Sequence, residues 1–482
     1  HVDYAACCAP LPNAENARSL ALPNGLTVSA DGATLFVAAT GSDKIARIPT
    51  AQLEADTYAQ AAADQLALRG GGPTGMLLDE RRGLLLVMTR FDNGISVVDT
   101  RRWREQQHLT LASPEPASVV EGRRFLYDAA LSSSHGDSAC ATCHVDGDLD
   151  ALAWDLGNPD AAMVPDQNPL NVDLTPPFPA VFHGMKGPLT TQSLRGLANH
   201  GPMHWRGDRT GAALGPSVQP NGGGYDEVEA FRQFNVAFPG LLGRDAELTT
   251  GDMDDFADFI LAASYPPNPI RNLDNSLTAN QQAGRDFYFN HTTTPSGARV
   301  DLPSDRFFNC NGCHTLDPNG NAGATAHPGF FGSDGRLSFE FEAQIFKVPH
   351  LRNMYTKVGM FGSSPDSLQP GTIILQQGPA TDQIRGFGFQ HDGSLGTLEH
   401  FFTGQVFLKV LTNVTLSDGT VVPPNPFGIP FVDPNSLGAP VRTRSSPRSH
   451  SARGNVGSRV SAASADWFAM GSSLSISAAQ PR

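Results

Sequence analysis

Two copies of one short pattern constrain this chain more than anything else in it: Cys140-Ala141-Thr142-Cys143-His144 and Cys310-Asn311-Gly312-Cys313-His314. Cys-x-x-Cys-His lets two thiols add across the vinyl groups of a haem and leaves the adjoining imidazole as an axial iron ligand. The spacing matters because both thioethers and the ligand have to reach one porphyrin from a single helical turn. A zinc site would need two further ligands close by. A thioredoxin-like dithiol has no use for a histidine after the second cysteine in both copies. With 6 cysteines and 14 histidines in 482 residues, composition alone does not produce two such matches. The expectation is two covalently bound c-type haems, with His144 and His314 as the proximal iron ligands. Cys7 and Cys8 lie outside either motif and read as free thiols, or as disulfide cysteines whose partner is lost with a missing N-terminus.

The motifs belong to a larger duplication. Glu121-Gly122-Arg123-Arg124-Phe125-Leu126-Tyr127 leads into the first, and Ala283-Gly284-Arg285-Asp286-Phe287-Tyr288-Phe289 leads into the second. Downstream, Ser193-Leu194-Arg195-Gly196 corresponds to His350-Leu351-Arg352-Asn353. Loop insertions make the spacings drift, but the order of features is kept. Helix-compatible segments separated by Gly/Pro/Asp loops complete the picture of two mainly α-helical modules, at 118–268 and 275–440.

Residues 14–112 have a different texture, that of β-structure. Asn24–Val28, Leu35–Ala38 and Lys44–Ile48 are short apolar runs with turns between them. The pattern recurs about fifty residues later as Thr74–Leu78, Leu84–Val87 and Gly94–Asp99, with turns at Ala30–Gly32 and Glu80–Gly83. A period of this size with four short strands is the signature of propeller blades, and it resembles the blades of bacterial YVTN-type β-propellers. Propellers have about four to eight blades, so two cannot close a ring. Further blades would be missing upstream, supplied by another chain, or never formed. The alternative is a pair of independent hairpin sheets packed on the next domain.

Thirty-four basic against 48 acidic side chains give a formal charge of −14, which argues against nucleic acid or an anionic membrane surface as a partner. No run of 18 or more apolar residues appears, so no membrane span is expected. The sequence starts at His1 without an initiator Met or an export signal, so either a signal has been removed or this is the later part of a longer polypeptide. From Val441 to Arg482 there are six Arg, eleven Ser and a single acid, Asp466, and these residues read as a tail.

Over residues 118–410 the paired modules resemble the bacterial di-haem cytochrome c peroxidase family, which includes MauG-like oxidases. His183-Gly184-Met185-Lys186-Gly187-Pro188 is similar to the loop that carries a removable distal histidine on the first, peroxidatic haem. Trp205, in His204-Trp205-Arg206-Gly207-Asp208-Arg209, falls where the family has a Trp between its haems. Phe346–Asn353 and His391-Asp392-Gly393-Ser394 match the C-terminal signature. Family pocket residues follow the Trp segment, which makes Glu227, Glu229 and Gln233 the candidates here.

The chain also departs from the pattern. Gln405 occupies the slot of the family's Met or Tyr, which leaves Met360, His391 and His400 as competing distal ligands of the second haem, or a five-coordinate iron. The family's calcium site has an Asn where this chain has Thr190, and a Thr–Pro pair where it has Thr356 and Val358. Arg195 and Arg352 could pair haem propionates, and His200 and His204 compete with His183.

The resemblance implies reduction of hydrogen peroxide. Electrons would come from a small cytochrome c or cupredoxin to the second haem and pass by way of Trp205 to the first. His183 would move aside for peroxide, and Glu227 or Glu229 would deliver a proton. It also implies a periplasmic or cell-surface location in a bacterium. Two readings stand beside this one: a non-enzymatic di-haem electron carrier that docks in a larger assembly through its propeller region, and a MauG-like or rubber-cleaving di-haem oxidase.

Overall fold

The computed structural model describes residues 10–156, 162, 164–165, 181–182, 188–198, 200–205, 207, 209, 226–288, 291–293, 296, 299–301, 314–315, 332–333, 347, 349–357, 388–393, 414–415 and 421–422. They divide between two compact units, drawn from 1–150, 192–197 and 228–264 and from 151–191, 198–227 and 265–482. The expectations at Cys7, Cys8, His183, Cys310, Cys313, Val358, Met360, His400, Gln405 and 441–482 lie outside the described residues.

The first unit opens with a short helix, α1 (Ala14–Arg18), whose start is capped by the Asn13 side chain accepting the N–H groups of Glu15 and Asn16. Two four-stranded antiparallel sheets follow, each in simple sequential order. The first holds β1 (Pro23–Val28), β2 (Thr34–Ala39), β3 (Lys44–Pro49) and β4 (Gln65–Ala67). The second holds β5 (Pro73–Asp79), β6 (Leu84–Thr89), β7 (Gly94–Asp99) and β8 (Arg104–Thr110). The last strand of each sheet escaped the sequence reading, β4 because it has only three residues and β8 because it is mostly polar. Matching positions stand at an offset of 50 residues: Gly25 and Gly75, Val37 and Val87, Ile45 and Ile95. The β2–β3 and β6–β7 connections reuse one backbone solution. Asp43 and Asn93 both sit at φ 54°, a left-handed conformation that short Asx side chains tolerate.

The sheets are not independent hairpins. The face of the first that carries Phe36, Ala38 and Ile45 packs on the face of the second that carries Leu85, Val87 and Val98, with Leu68, in one apolar core. Burial of each large aliphatic side chain is worth roughly 1.5–3 kcal/mol, so this shared core holds the pair together. Gly25 permits the approach, because a Cβ there would lie 1.9 Å from the Thr74 carbonyl oxygen. Ser96, fully buried on β7, donates to Glu105 and meets His108 at 3.1 Å, and His108 in turn reaches Asp92. This buried polar chain ties the edge strand β8 to the sheet.

The same unit contains the helices of the first module. In α2 (Ala117–Tyr127), Arg123 is buried and donates to the Arg90 carbonyl at 2.6 Å, to Asn93 at 3.0 Å and to Glu115 at 2.6 Å. One guanidinium thereby pins the module to the β6–β7 turn. Helix α5 (Thr250–Ala262) starts at a capping box made by Thr249 and Asp252 and crosses α2. Phe125 meets Phe256 at 6.1 Å, and Phe231 meets Phe256 edge-to-face at 4.9 Å. Gly122 sits at the crossing, where an added Cβ would lie 1.9 Å from the Asp255 carbonyl oxygen. Between them come α3 (Cys140–Cys143) and α4 (Glu227–Arg232).

In the second unit β9 (Ala153–Trp154) pairs with β10 (Leu189–Thr190), and α6 (Ala279–Tyr288) leads towards β11 (His314–Thr315), which pairs with β12 (Gly332–Ser333). Among the described residues no helix is long and apolar enough to cross a membrane.

Two outcomes follow. Gly122→Ala forces α2 from α5 and should cost about 1–3 kcal/mol in chemical denaturation, while Gly240→Ala, which has open space around its Cβ, should cost far less. Burial, with the Asp128 carboxylate beside it, pushes the Asp43 carboxyl up to about 7. A folded-state value above the unfolded one stabilises fully below about pH 4 and is lost as pH rises through 7. The melting temperature should therefore fall between pH 5 and pH 8, and Asp43→Asn, which copies the residue at 93, should flatten that dependence.

Candidate functional site

Helix α3 is a single turn, so Cys140 and Cys143 project from the same side of it and His144 follows at its C-terminal end. Thr142 folds back to accept the Ala139 N–H at 3.0 Å, which fixes the start of the turn. Burial pushes the Cys140 thiol up to about 12. The Cys143 thiol is raised by burial first and then by the Asp150 charge.

His144 Nδ1 lies 2.7 Å from the Gln192 carbonyl oxygen. A carbonyl can only accept, so the proton is on Nδ1 and Nε2 carries the lone pair. Burial lowers the imidazole's pKa from its ordinary value, which keeps the ring neutral at pH 7. A neutral ring oriented through Nδ1, with Nε2 as the lone-pair nitrogen, is the form that ligates a metal. The segment that supplies the carbonyl is itself fastened to the loop after the motif. Leu194 N–H donates to the Gly147 carbonyl at 3.0 Å, and Arg195 donates to the Asp146 carbonyl at 2.9 Å and to Asp148 at 3.3 Å. The expected role of Arg195 as a propionate partner thus sits beside an ion pair already present.

His314 has the same arrangement. Its Nδ1 lies 2.8 Å from the Pro349 carbonyl oxygen, and burial again lowers its pKa. Gln192 stands two residues before Leu194-Arg195, and Pro349 stands two residues before Leu351-Arg352. The sequence repeat therefore returns in space as one bond made twice. Tyr288, fully buried at the end of α6, donates its hydroxyl to the His314 carbonyl. Gln192 and Pro349 contribute backbone only, so residue type gave no hint of them. The repeated spacing to Leu-Arg was the available signal.

Trp205 is buried beside Leu189 and donates its indole N–H to the Thr190 carbonyl at 2.8 Å. The Thr190 N–H donates to the His391 carbonyl at 2.6 Å, so one residue of β10 links two of the sequence candidates. Lys347 N–H donates to the Trp205 carbonyl at 3.0 Å, and the Lys357 ammonium stands 5.5 Å from the centre of the indole ring.

Next to this the buried His200 meets the half-buried His350 edge-to-face, at 4.3 Å between ring centres. Arg352 N–H donates to His350 Nδ1 at 3.2 Å. Burial first holds both rings well below their ordinary pKa, followed by the cations Lys347 and Arg352 for His200, and by His200 and Lys357 for His350. His350 and Lys347 had been read only as parts of a motif. Of five lysines in the chain, two are here.

The carboxylate candidates are placed differently from one another. Glu229 and Gln233 belong to the first unit, where Arg232 donates to Glu229 at 3.1 Å and to Asp254 at 2.6 Å on a half-exposed surface. Glu227 belongs to the second unit, where burial lowers the pKa of the half-buried Arg352 and the charges of Tyr265 and Glu227 oppose that shift. Thr356 donates its hydroxyl to the Asn353 carbonyl at 2.8 Å. A cavity of about 360 Å³ in the first unit is walled by Asp43, Phe91, Glu121, Arg124 and Asp255, and the motif residues are not among its lining.

No protein-family description and no curated protein matches the chain. Solved structures with similar stretches include Kuenenia stuttgartiensis hydrazine synthase, at 22% identity over 20% of this chain and 26% of that chain, with a TM-score of 0.17. A periplasmic gluconolactonase from Pseudomonas aeruginosa shows 20% identity over 20% of this chain and 27% of that chain, with a TM-score of 0.18. The Kuenenia stuttgartiensis hydrazine synthase pressurised with xenon shows 19% identity over 60% and 78%, with a TM-score of 0.32. The first two matches span about a quarter of those chains' own length. TM-scores this low transfer neither fold nor activity.

Trp205→Phe keeps an aromatic ring but removes the indole N–H and part of the buried volume, leaving the Thr190 carbonyl without that donor. The expected cost is about 1–3 kcal/mol, read by chemical denaturation of the full chain.

Proposed function

We propose that this chain is a di-haem c-type cytochrome whose activity is the reduction of hydrogen peroxide, with electrons from a small cytochrome c or cupredoxin outside the cytoplasmic membrane. The observation that carries the haem reading is the bond made twice, from His144 Nδ1 to Gln192 and from His314 Nδ1 to Pro349. It leaves a neutral Nε2 in each module, beside Cys140 and Cys143 in the first and two residues of the same pattern, Cys310 and Cys313, in the second. Cys140 and Cys143 on one turn suit thioether attachment, so the donor set fits the group.

When bound, the haems supply one-electron redox chemistry and, at an iron with an open position, cleavage of the peroxide O–O bond. The chain's own residues do the rest. The four motif cysteines would hold the two haems through thioethers, and His144 and His314 would supply Nε2 to the irons. Gln192 and Pro349 fix the tautomer and the ring orientation. Trp205 is the proposed relay residue, with its indole N–H held by the Thr190 carbonyl and its own carbonyl held by the Lys347 N–H. His183 is the proposed distal residue of the first module, and Glu227, Glu229 and Gln233 are the proposed proton-handling groups. The placement of His391 beside Thr190 favours it for a role in the second unit.

Protein from a host that matures c-type cytochromes should carry two haems that survive acid extraction, one fewer in a Cys140→Ser, Cys143→Ser variant. A chain with no covalent haem, or with zinc in its place, refutes the cytochrome. Half-reduced protein should show a high-spin first haem that turns over peroxide. Two low-spin haems inert to peroxide would leave an electron carrier instead.

A further inference from the structure

On the reading of Trp205 as a relay residue, we infer that Lys357 is the positioning residue that sets how it relays. The Lys357 ammonium keeps the indole from being oxidised itself, so electrons pass through the ring and no hole is held on it. Trp205, Thr190, Lys347 and Lys357 all belong to the second unit. The indole is 6% exposed and fixed at both ends: its N–H donates to the Thr190 carbonyl at 2.8 Å, and the residue's own carbonyl accepts the Lys347 N–H at 3.0 Å. The Lys357 ammonium stands over the ring, 5.5 Å from its centre. Its backbone is held as well. The Lys357 N–H donates to the Met354 carbonyl at 3.1 Å, closing a single helical turn over Met354–Thr356, and its carbonyl accepts the Gly388 N–H at 3.0 Å. The same charge reaches the neighbouring imidazole: after burial and His200, Lys357 is the next cause that lowers the His350 pKa.

An indole that gives up one electron becomes a radical cation. Two unit positive charges at this separation, at the effective dielectric of about 20 that describes protein sites, repel enough to move a one-electron equilibrium about a hundredfold. Before oxidation the same ammonium is attracted to the electron-rich ring face. The neutral ring is therefore stabilised and the oxidised ring destabilised by one group.

The ordinary escape from that penalty is loss of the N–H proton, which leaves a neutral radical. Here the N–H is given to a backbone carbonyl, which accepts a hydrogen bond but does not take up a proton. Positive charge on the ring has no local exit. An electron then crosses the indole in one step, from the donor of the relay to its acceptor, and the ring is never left one electron short.

The test oxidises the full chain without peroxide. Flash-generated tris(bipyridine)ruthenium(III) takes one electron from an indole and is reduced to ruthenium(II), and the tryptophan radical is trapped by freezing and counted by electron paramagnetic resonance. The Trp205 share of the signal is the part lost when Trp205→Phe is added to each protein. Lys357→Met keeps the length of the stem and removes the charge, so it should raise that share at least tenfold, as should Lys357→Gln. Lys357→Arg keeps the charge and should stay at the wild-type level. A wild-type Trp205 signal equal to that of Lys357→Met overturns the proposal, and so does a Trp205 signal absent from both neutral variants. A rise in Lys357→Arg as large as in Lys357→Met also overturns it, because loosened packing and not charge would then be the cause. Failure of the peroxidase reading would show elsewhere, in peroxide turnover and covalent haem content, which this measurement does not use.

Discussion

An imidazole withdrawn from water has two nitrogens, and a hydrogen bond at one of them fixes what the other can do. In this chain the nitrogen distal to the motif's use is given to a backbone carbonyl, 48 residues away for His144 and 35 for His314. Much of the local architecture follows from those two bonds. They bring the Gln192–Leu197 strip back to the loop after the first motif, where Leu194 and Arg195 lock it. They also explain why Leu-Arg recurs at a fixed distance from the accepting residue while the intervening loops vary. Because the accepting group is backbone, the chain can change residue type there, Gln in one module and Pro in the other, without losing the bond.

The first unit shows how sheets of one texture and helices of another become one body. Apolar packing joins sheet to sheet and helix to helix, but polar side chains join the two kinds. Arg123 binds two groups of the β6–β7 turn, Asn16 reaches the carbonyls of Ala130 and Ser133, and Asn13 reaches that of Ser134. Contacts of this type have strict geometry, so they fix register as well as proximity. Asp43 stands at the same junction, and its raised pKa records how little water reaches it.

The legible part of the sequence was the part with period or pattern. Alternation located the inner strands, and the cysteine motifs located α3 and His144. The edge strand β8 carries Arg104, Glu105 and Gln107, whose polarity hides it, and β4 is only three residues long, so pairing with β7 and β3 is what makes them strands. The shared core between the sheets was likewise invisible, because the alternative of separate hairpins predicts the same apolar residues. Glu229 illustrates a different limit. Its sequence position after the Trp segment suggested a pocket, while its partner Arg232 lies on the same helix face three residues on, where local spacing favours an ion pair.

The second unit uses its few lysines locally in an otherwise acidic chain. Lys347 donates to the Pro202 carbonyl at 2.5 Å and Arg352 to the Ala198 carbonyl at 3.4 Å, so the two cations hold the backbone on either side of His200. That clamp sets His200 against His350, and its charge then keeps both rings from taking a proton. A histidine pair is ordinarily a pH sensor. Here burial and positive neighbours act in the same direction, and both hold the two imidazoles well below their ordinary pKa. The adjacent Pro349 carbonyl orients His314 from the same segment, so the residues that clamp one pair of histidines also lie beside the carbonyl that fixes the histidine of the second motif.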